Sequence, residues 1–434
     1  MARKKLIKTI LNFGEYISAP SSLLVHYFIW QAFVITIYIG SRDLDDFIPL
    51  VSNGLYLGTI SIATLVLVLH LFLITASRKL DKYDLSYLFI FMLPMIFLYS
   101  SMFINFDFRS IQSLTLLFIT LVPLVVWRTD FSKRDSTVFN YTIMSYSILN
   151  LVYVILQILR FIPVAQVNSR EISLIVSNRP TGLLFNAFAM SYASVICIAI
   201  GLHLLFKNKN KVASLIIFIS SLISLLLSGT RTSIWLGFLV VVTFLLIYKI
   251  KNLKVNKILI PLFLMFLGVS TPFILSIIGN TMGLTEWATI NGRTQMWVCV
   301  MDKFQEFIPF GVGLDEAFPP KFCAQTGWFS NLRHPENMFL LAFVESGPLG
   351  LLTYIILFSF TLWKSTKALR NKLILPLVIT TTFLLSNLIY VSLFHYLPFL
   401  SNRPADRGIF NFHFFYLIWI WIMKETKVKL EKKV

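Results

Sequence analysis

The sequence predicts an all-α polytopic membrane protein with about twelve transmembrane helices and a long outer loop containing short helices. Three observations predict it. Of 434 residues, 57% are hydrophobic and only 13% charged, against about 25% charged in a typical soluble domain. The mean hydropathy is +0.77. Apolar runs long enough to cross a bilayer, roughly 20 residues each, recur from end to end. In lipid such runs must be helical, because their backbone polar groups find no water to bond. They are too long and uninterrupted for barrel strands, which alternate over about 10 residues.

In chain order the expected spans lie near 23–40, 53–76, 85–105, 113–127, 137–159, 185–206, 213–229, 232–248, 258–278, 337–363, 373–394 and 409–423. The first follows a basic stretch, Met1 to Lys8, and no small-residue cleavage pattern comes after it. It therefore reads as a retained helix and not as a signal peptide. The whole chain, 1–434, reads as a single integral membrane domain without internal repeats or low-complexity segments.

The loops alternate in character. One set (1–22, 77–84, 128–136, 207–212, 249–257, 364–372 and 424–434) holds 26 of the 38 Lys and Arg residues. The positive-inside rule makes that set cytoplasmic, together with both termini. It also accounts for the net charge of +18. Basic residues scattered in short loops between apolar spans argue against nucleic acid as a partner.

The two sides differ in kind as well. The cytoplasmic set has 21 Lys and 5 Arg, whereas the outer set has 10 Arg and 2 Lys. An arginine holds phosphate or carboxylate in a bidentate fork that an ammonium cannot form. The bland alternative is that each outer arginine snorkels to a headgroup or pairs with a local acid. Two outer loops, 160–184 and 279–336, exceed the roughly 12–15 residues beyond which loops are usually functional or disordered. In the second, Met296, Trp297, Val300, Met301, Phe304 and Ile308 share one helical face. Asn291 or Gly292 would start that helix and Pro309 would stop it. Cys299 and Cys323, both in this loop, are candidates for pairing outside the cytoplasm. Cys197 lies within a span and reads as inert. No cysteine–histidine cluster suggests zinc.

Three outer segments carry candidate chemistry. Ser228-Gly229-Thr230-Arg231-Thr232-Ser233 is a tight hairpin between two spans. It places Arg231 at the membrane boundary, where a charge needs a partner. Gly292-Arg293-Thr294-Gln295-Met296-Trp297 puts Arg293 in the first turn of the loop helix, a place that already favours anions. Arg333-His334-Pro335-Glu336-Asn337 precedes a span running through Glu345-Ser346-Gly347-Pro348-Leu349-Gly350. His26, His70, His203 and His413 lie in or at the ends of spans and read as packing histidines. His395 sits with Arg403, Asp406 and Arg407 in another outer loop, and Asp315-Glu316 reads as solvated surface.

In these motifs the chain resembles the O-antigen polymerase and O-antigen ligase family of Gram-negative envelopes. The shared features are the arginine after a polar turn (Arg231) and the Gly292-Arg293 pair. A turn, Pro309-Phe310-Gly311-Val312-Gly313, and the Glu345-to-Gly350 tail follow. Asn178-Arg179-Pro180-Thr181-Gly182-Leu183 also resembles the family's outer-loop lead into the next span. The likeness covers roughly 178–363. One departure stands out: many relatives have a histidine directly before the asparagine, and here that position is Glu336, with His334 two residues earlier.

The resemblance implies a membrane glycosyltransferase of the bacterial inner membrane, with loops 160–184 and 279–336 in the periplasm. It would move glycan from undecaprenyl pyrophosphate to an acceptor sugar hydroxyl, with inversion and without metal or cofactor. Arg231 and Arg293 would face the pyrophosphate, where negative charge develops. His334 or Glu336 would serve as the base. Arg179, Arg333, Asn337, Arg403 and Arg407 are candidate substrate-binding residues. Implied partners are the lipid-linked oligosaccharide, the acceptor glycan, membrane lipid and a chain-length regulator protein. A polymerase is favoured over a ligase that delivers polymer to a lipid A core. A lipid-linked glycan flippase is the alternative from another class, although the repeats common in transporters are not evident and the arginine and histidine candidates cluster in outer loops.

Overall fold

The computed structural model describes residues 82–104, 133–162, 180–184, 187–208, 210–249, 300, 303–312, 337–371, 373–389 and 408–431. Every described element is helical: α1 (Lys82–Ile104), α2 (Lys133–Ile158), α3 (Ala187–Phe206), α4 (Lys211–Leu227), α5 (Arg231–Lys249), α6 (Met338–Arg370), α7 (Leu375–Ile389) and α8 (Gly408–Glu431). Short 3-10 turns cover Gly182–Leu184 and Phe304–Phe307. These eight helices coincide one for one with eight of the expected spans. The spans expected at 23–40, 53–76, 113–127 and 258–278 lie outside the described residues.

Three described stretches are long and apolar enough to cross a membrane: Ser136–Ile158, Ala187–Phe206 and Phe339–Leu369. The α3 helix is the hub, buried along almost its whole length. It packs most extensively on α4, with α5 on another side. Small residues allow the close approach: a side chain at Gly201 would stand 3.0 Å from the Phe218 backbone nitrogen on α4. Van der Waals packing of this kind holds helices together where lipid offers no hydrophobic drive. A second focus is Trp419 on α8, whose ring meets Phe91, Phe358 and Phe383 at centroid distances of 5.3–5.4 Å.

The bundle has two distinct ends. At one, the Tyr87 ring lies against Phe360 and under the Lys364 ammonium, and the Ser136 hydroxyl donates to Glu425. The described parts of the Lys-rich loop set gather here. At the other, the end of α2 meets residues 181–183, and the hydroxyls of Ser191 and Ser233 bond at 2.7 Å near the starts of α3 and α5.

Three expectations need correction. First, 337–363 is not one straight span, because α6 breaks at Gly347 (φ 69°, ψ −168°); residues 348–370 alone still exceed the roughly 20 that a span needs. Second, 424–434, expected as part of the cytoplasmic loop set, is helical as far as Glu431. Lys424 and Lys427 are buried there, their aliphatic stems covered by neighbouring helices. Third, the expected face of the loop helix is turned. Val300 and Phe307 are buried, whereas Phe304 and Ile308 are exposed. Phe307, seven residues after Val300, falls two turns along on the same face, and the chain tightens to a 3-10 turn over Phe304–Phe307. That turn ends before Pro309, as expected.

Candidate functional site

The hairpin between α4 and α5 is a buried polar frame with one exposed cation. Ser228 is fully buried; its hydroxyl donates to the Leu225 carbonyl at 2.6 Å and accepts from the Thr230 amide at 3.2 Å. Gly229 takes φ 61°, the left-handed region that residues with a Cβ avoid. Thr230 then starts α5, its carbonyl accepting from the Ile234 amide at 3.0 Å. Thr230 and Ser233 are buried on either side of Arg231, which is exposed. The local sequence thus holds the guanidinium outward at the first turn of a helix, with its flanking polar groups tied down.

The second site feature is built from two motifs far apart in sequence. Asn337 caps α6: its side-chain oxygen accepts from the Phe339 and Leu340 amides at 3.0 and 3.2 Å, the usual work of an N-cap asparagine. Ten residues later the helix reaches Gly347-Pro348. Proline has no N–H to give the carbonyl four residues back, so the Val344 carbonyl loses its intrahelical donor. The Val312 amide supplies it instead, at 2.9 Å. The turn carrying that amide fits the elbow closely. Gly311 takes φ 71°, and its amide donates to the Phe307 carbonyl at 2.9 Å. A side chain at Gly311 would strike the Glu345 backbone, and one at Gly347 would strike the Pro309 carbonyl. Val300, Phe307 and Val344 form a small core over the joint, and the Phe307 and Phe343 rings meet edge-on at 5.8 Å. Glu345 and Ser346 are buried at the elbow.

A third feature pins the lead into α3. Gln157 on α2 is buried and makes three hydrogen bonds to it. Its Oε1 accepts from the Thr181 and Gly182 amides at 2.9 and 3.0 Å, and its Nε2 donates to the Thr181 hydroxyl at 2.9 Å. Asn150, two turns earlier on the same face, accepts from the Leu183 amide at 3.0 Å. A side chain at Gly182 would collide with Asn150 and Met190, which explains glycine at that position.

Of the candidate catalytic and substrate-binding residues, the structure describes Arg231 and Asn337. Arg179, Arg293, Arg333, His334, Glu336, Arg403 and Arg407 lie outside the described residues, as do Cys299 and Cys323. The structure joins the Pro309–Val312 turn to the Glu345–Gly347 elbow. It also ties the Thr181-Gly182 pair to α2. Cys197 is buried among Ser147 and Ser221, in keeping with an inert packing role. His203 lies in the last turn of α3. Sequence reasoning missed Gln157 and Asn150; the available signal was two amide side chains within an apolar run, where polar groups face the interior of a bundle.

Residues 215–355, about a third of the chain, match a family model described as O-antigen ligase. The matched stretch contains the Arg231 hairpin, the Gly292-Arg293 pair, the Pro309–Val312 turn, the 333–337 segment and the Gly347 elbow. The resemblance read from these motifs is borne out over that stretch. No curated protein matches the chain.

Proposed function

We propose, from an O-antigen ligase-type segment set in a helical membrane bundle, that the chain is a polysaccharide polymerase of the bacterial inner membrane. It forms a single integral membrane domain of twelve spans with both termini in the cytoplasm and loops 160–184 and 279–336 in the periplasm. Glycan passes from undecaprenyl pyrophosphate to an acceptor sugar hydroxyl, with inversion. Arg231 and Arg293 neutralise the departing pyrophosphate, an interaction that strengthens as charge develops in the transition state. His334 or Glu336 takes the proton of the acceptor hydroxyl. Arg179, Arg333, Asn337, Arg403 and Arg407 orient the two substrates.

The observation that carries this reading is the coincidence of the family match with the described geometry. The matched stretch begins just before the hairpin that holds Arg231 outward and ends just after the elbow that Asn337 leads into. On the proposed topology the Arg231 hairpin and the elbow lie at the same end, opposite the lysines. The match to an O-antigen ligase family favours a second reading, the ligase that delivers finished polymer to a lipid A core.

A deletion strain separates the two. Loss of a polymerase leaves single repeat units on the core, and wild-type chain restores the ladder. Bare core with accumulated lipid-linked glycan assigns the ligase reaction instead, and an unchanged glycan profile removes both.

A further inference from the structure

The two halves of α6 do not run on from each other. At 1.5 Å per residue a straight helix would hold residues 339 and 358 roughly 28 Å apart, a gap that two phenylalanine side chains cannot bridge. Their ring centroids are 5.7 Å apart. A Cβ on Gly350 would lie 2.9 Å from the Ala342 carbonyl, eight residues earlier, and against the Ser346 side chain. The arm before Gly347 therefore folds back along the helix after it. Phe358 in turn stacks on the fully buried Trp419. Phe339, in the first turn of the arm, is one ring away from the aromatic centre of the bundle. Leu341 and Ala342 are buried within the same packing.

We infer that residues 338–346 form a re-entrant arm, and that Gly347, Pro348 and Gly311 are positioning residues that set the depth at which Asn337 stands inside the bundle. Non-helical backbone at membrane depth persists only where protein buries it or where it lines a cavity, and the elbow meets this condition. The 307–312 turn covers it and the Val312 amide satisfies the carbonyl that Pro348 frees. Asn337, at the tip of the arm, is only partly covered. Resting on the transferase reading above, the consequence concerns the substrate. The acceptor's reacting end is led below the outer rim, into the bundle, and meets the donor there and not on the outer surface.

The full-length chain, with Cys197, Cys299 and Cys323 replaced by alanine, is spin-labelled at Leu340→Cys and Lys367→Cys. A straight helix would place these positions about 40 Å apart; the re-entrant arm places them at about 25 Å or less. Gly347→Ala with Pro348→Ala restores a continuous helix and lengthens the distance toward 40 Å. Glycan transfer assayed on the same preparations loses about 10²-fold in kcat, the scale of a misplaced reacting group. The donor KM, set by Arg231 and its neighbours, stays within about threefold. If the double variant fails to insert, Pro348→Ala alone, which returns an N–H to compete for the Val344 carbonyl, gives a smaller loss of the same kind. A distance near 40 Å in the otherwise unsubstituted chain overturns the arm. A lengthened distance with unchanged kcat overturns the positioning role. A short distance in a chain that transfers no glycan leaves the arm standing and overturns the transferase reading.

Discussion

At the residue scale, the fold separates side chains that hold backbone from those left at the surface. Ser228, Thr230 and Ser233 are buried around an exposed Arg231, so replacing the arginine disturbs function more than folding. Arg231→Ala is expected to lower polymer formation by about 10²–10³-fold, the range for losing one transition-state donor, at unchanged protein level in the membrane. Arg231→Lys is expected to recover only a small part of it, because an ammonium lacks the bidentate fork; quantified glycan ladders read both. Gln157 belongs to the other kind. Gln157→Leu strips the Thr181 and Gly182 amides and the Thr181 hydroxyl of their partner, and each buried orphan costs about 1–3 kcal/mol. The expected outcome is a lowered thermal midpoint in detergent. The Arg231 hairpin was legible in sequence because a serine, a glycine and a threonine around an arginine spell a local turn. Gln157 was not, because its three bonds reach 24 and 25 residues along the chain, and nothing local marks where its partners will fold.

At the element scale, helix positions were legible and helix paths were not. Apolar length alone places α1 to α8, since a run without water must close its own hydrogen bonds. A glycine–proline pair such as Gly347-Pro348 is a signal for a break, yet 337–363 read as one span. The size of the bend depends on what accepts the orphaned Val344 carbonyl, and that donor, Val312, is 32 positions earlier in a different loop. The burial of Lys424 and Lys427 escaped notice for a similar reason. A run rich in lysine reads as a loop unless neighbouring helices are known to cover the stems. The joint makes its own prediction. Gly311→Ala puts a methyl group against the Glu345 backbone in a left-handed conformation. Transfer activity should fall at least about tenfold, while Ser191→Ala, which removes one hydroxyl pair between α3 and α5, should leave it within about threefold. Equal activity in both would show that the turn does not have to seat against the elbow.

At the scale of the whole molecule, the charge pattern and the bundle agree. Lys364, Lys367, Lys424, Lys427 and Lys429 share the end where α1 and α2 begin, while Arg231 and the elbow belong to the opposite end. Reporter fusions at residues 209 and 432 should therefore report the cytoplasm, and one at 170 the periplasm. A periplasmic signal at 209 would invert the topology and separate the site from its lipid-linked substrate. A flippase would share most of this architecture, so topology does not decide the chemistry. The direct test is transfer by the purified chain in detergent micelles, where no membrane divides two compartments, with lipid-linked repeat units as both donor and acceptor. The expected result is glycan longer than one repeat, formed by wild type and abolished by Arg231→Ala. Repeat units that stay unjoined with folded wild-type protein would contradict a catalytic role for the chain.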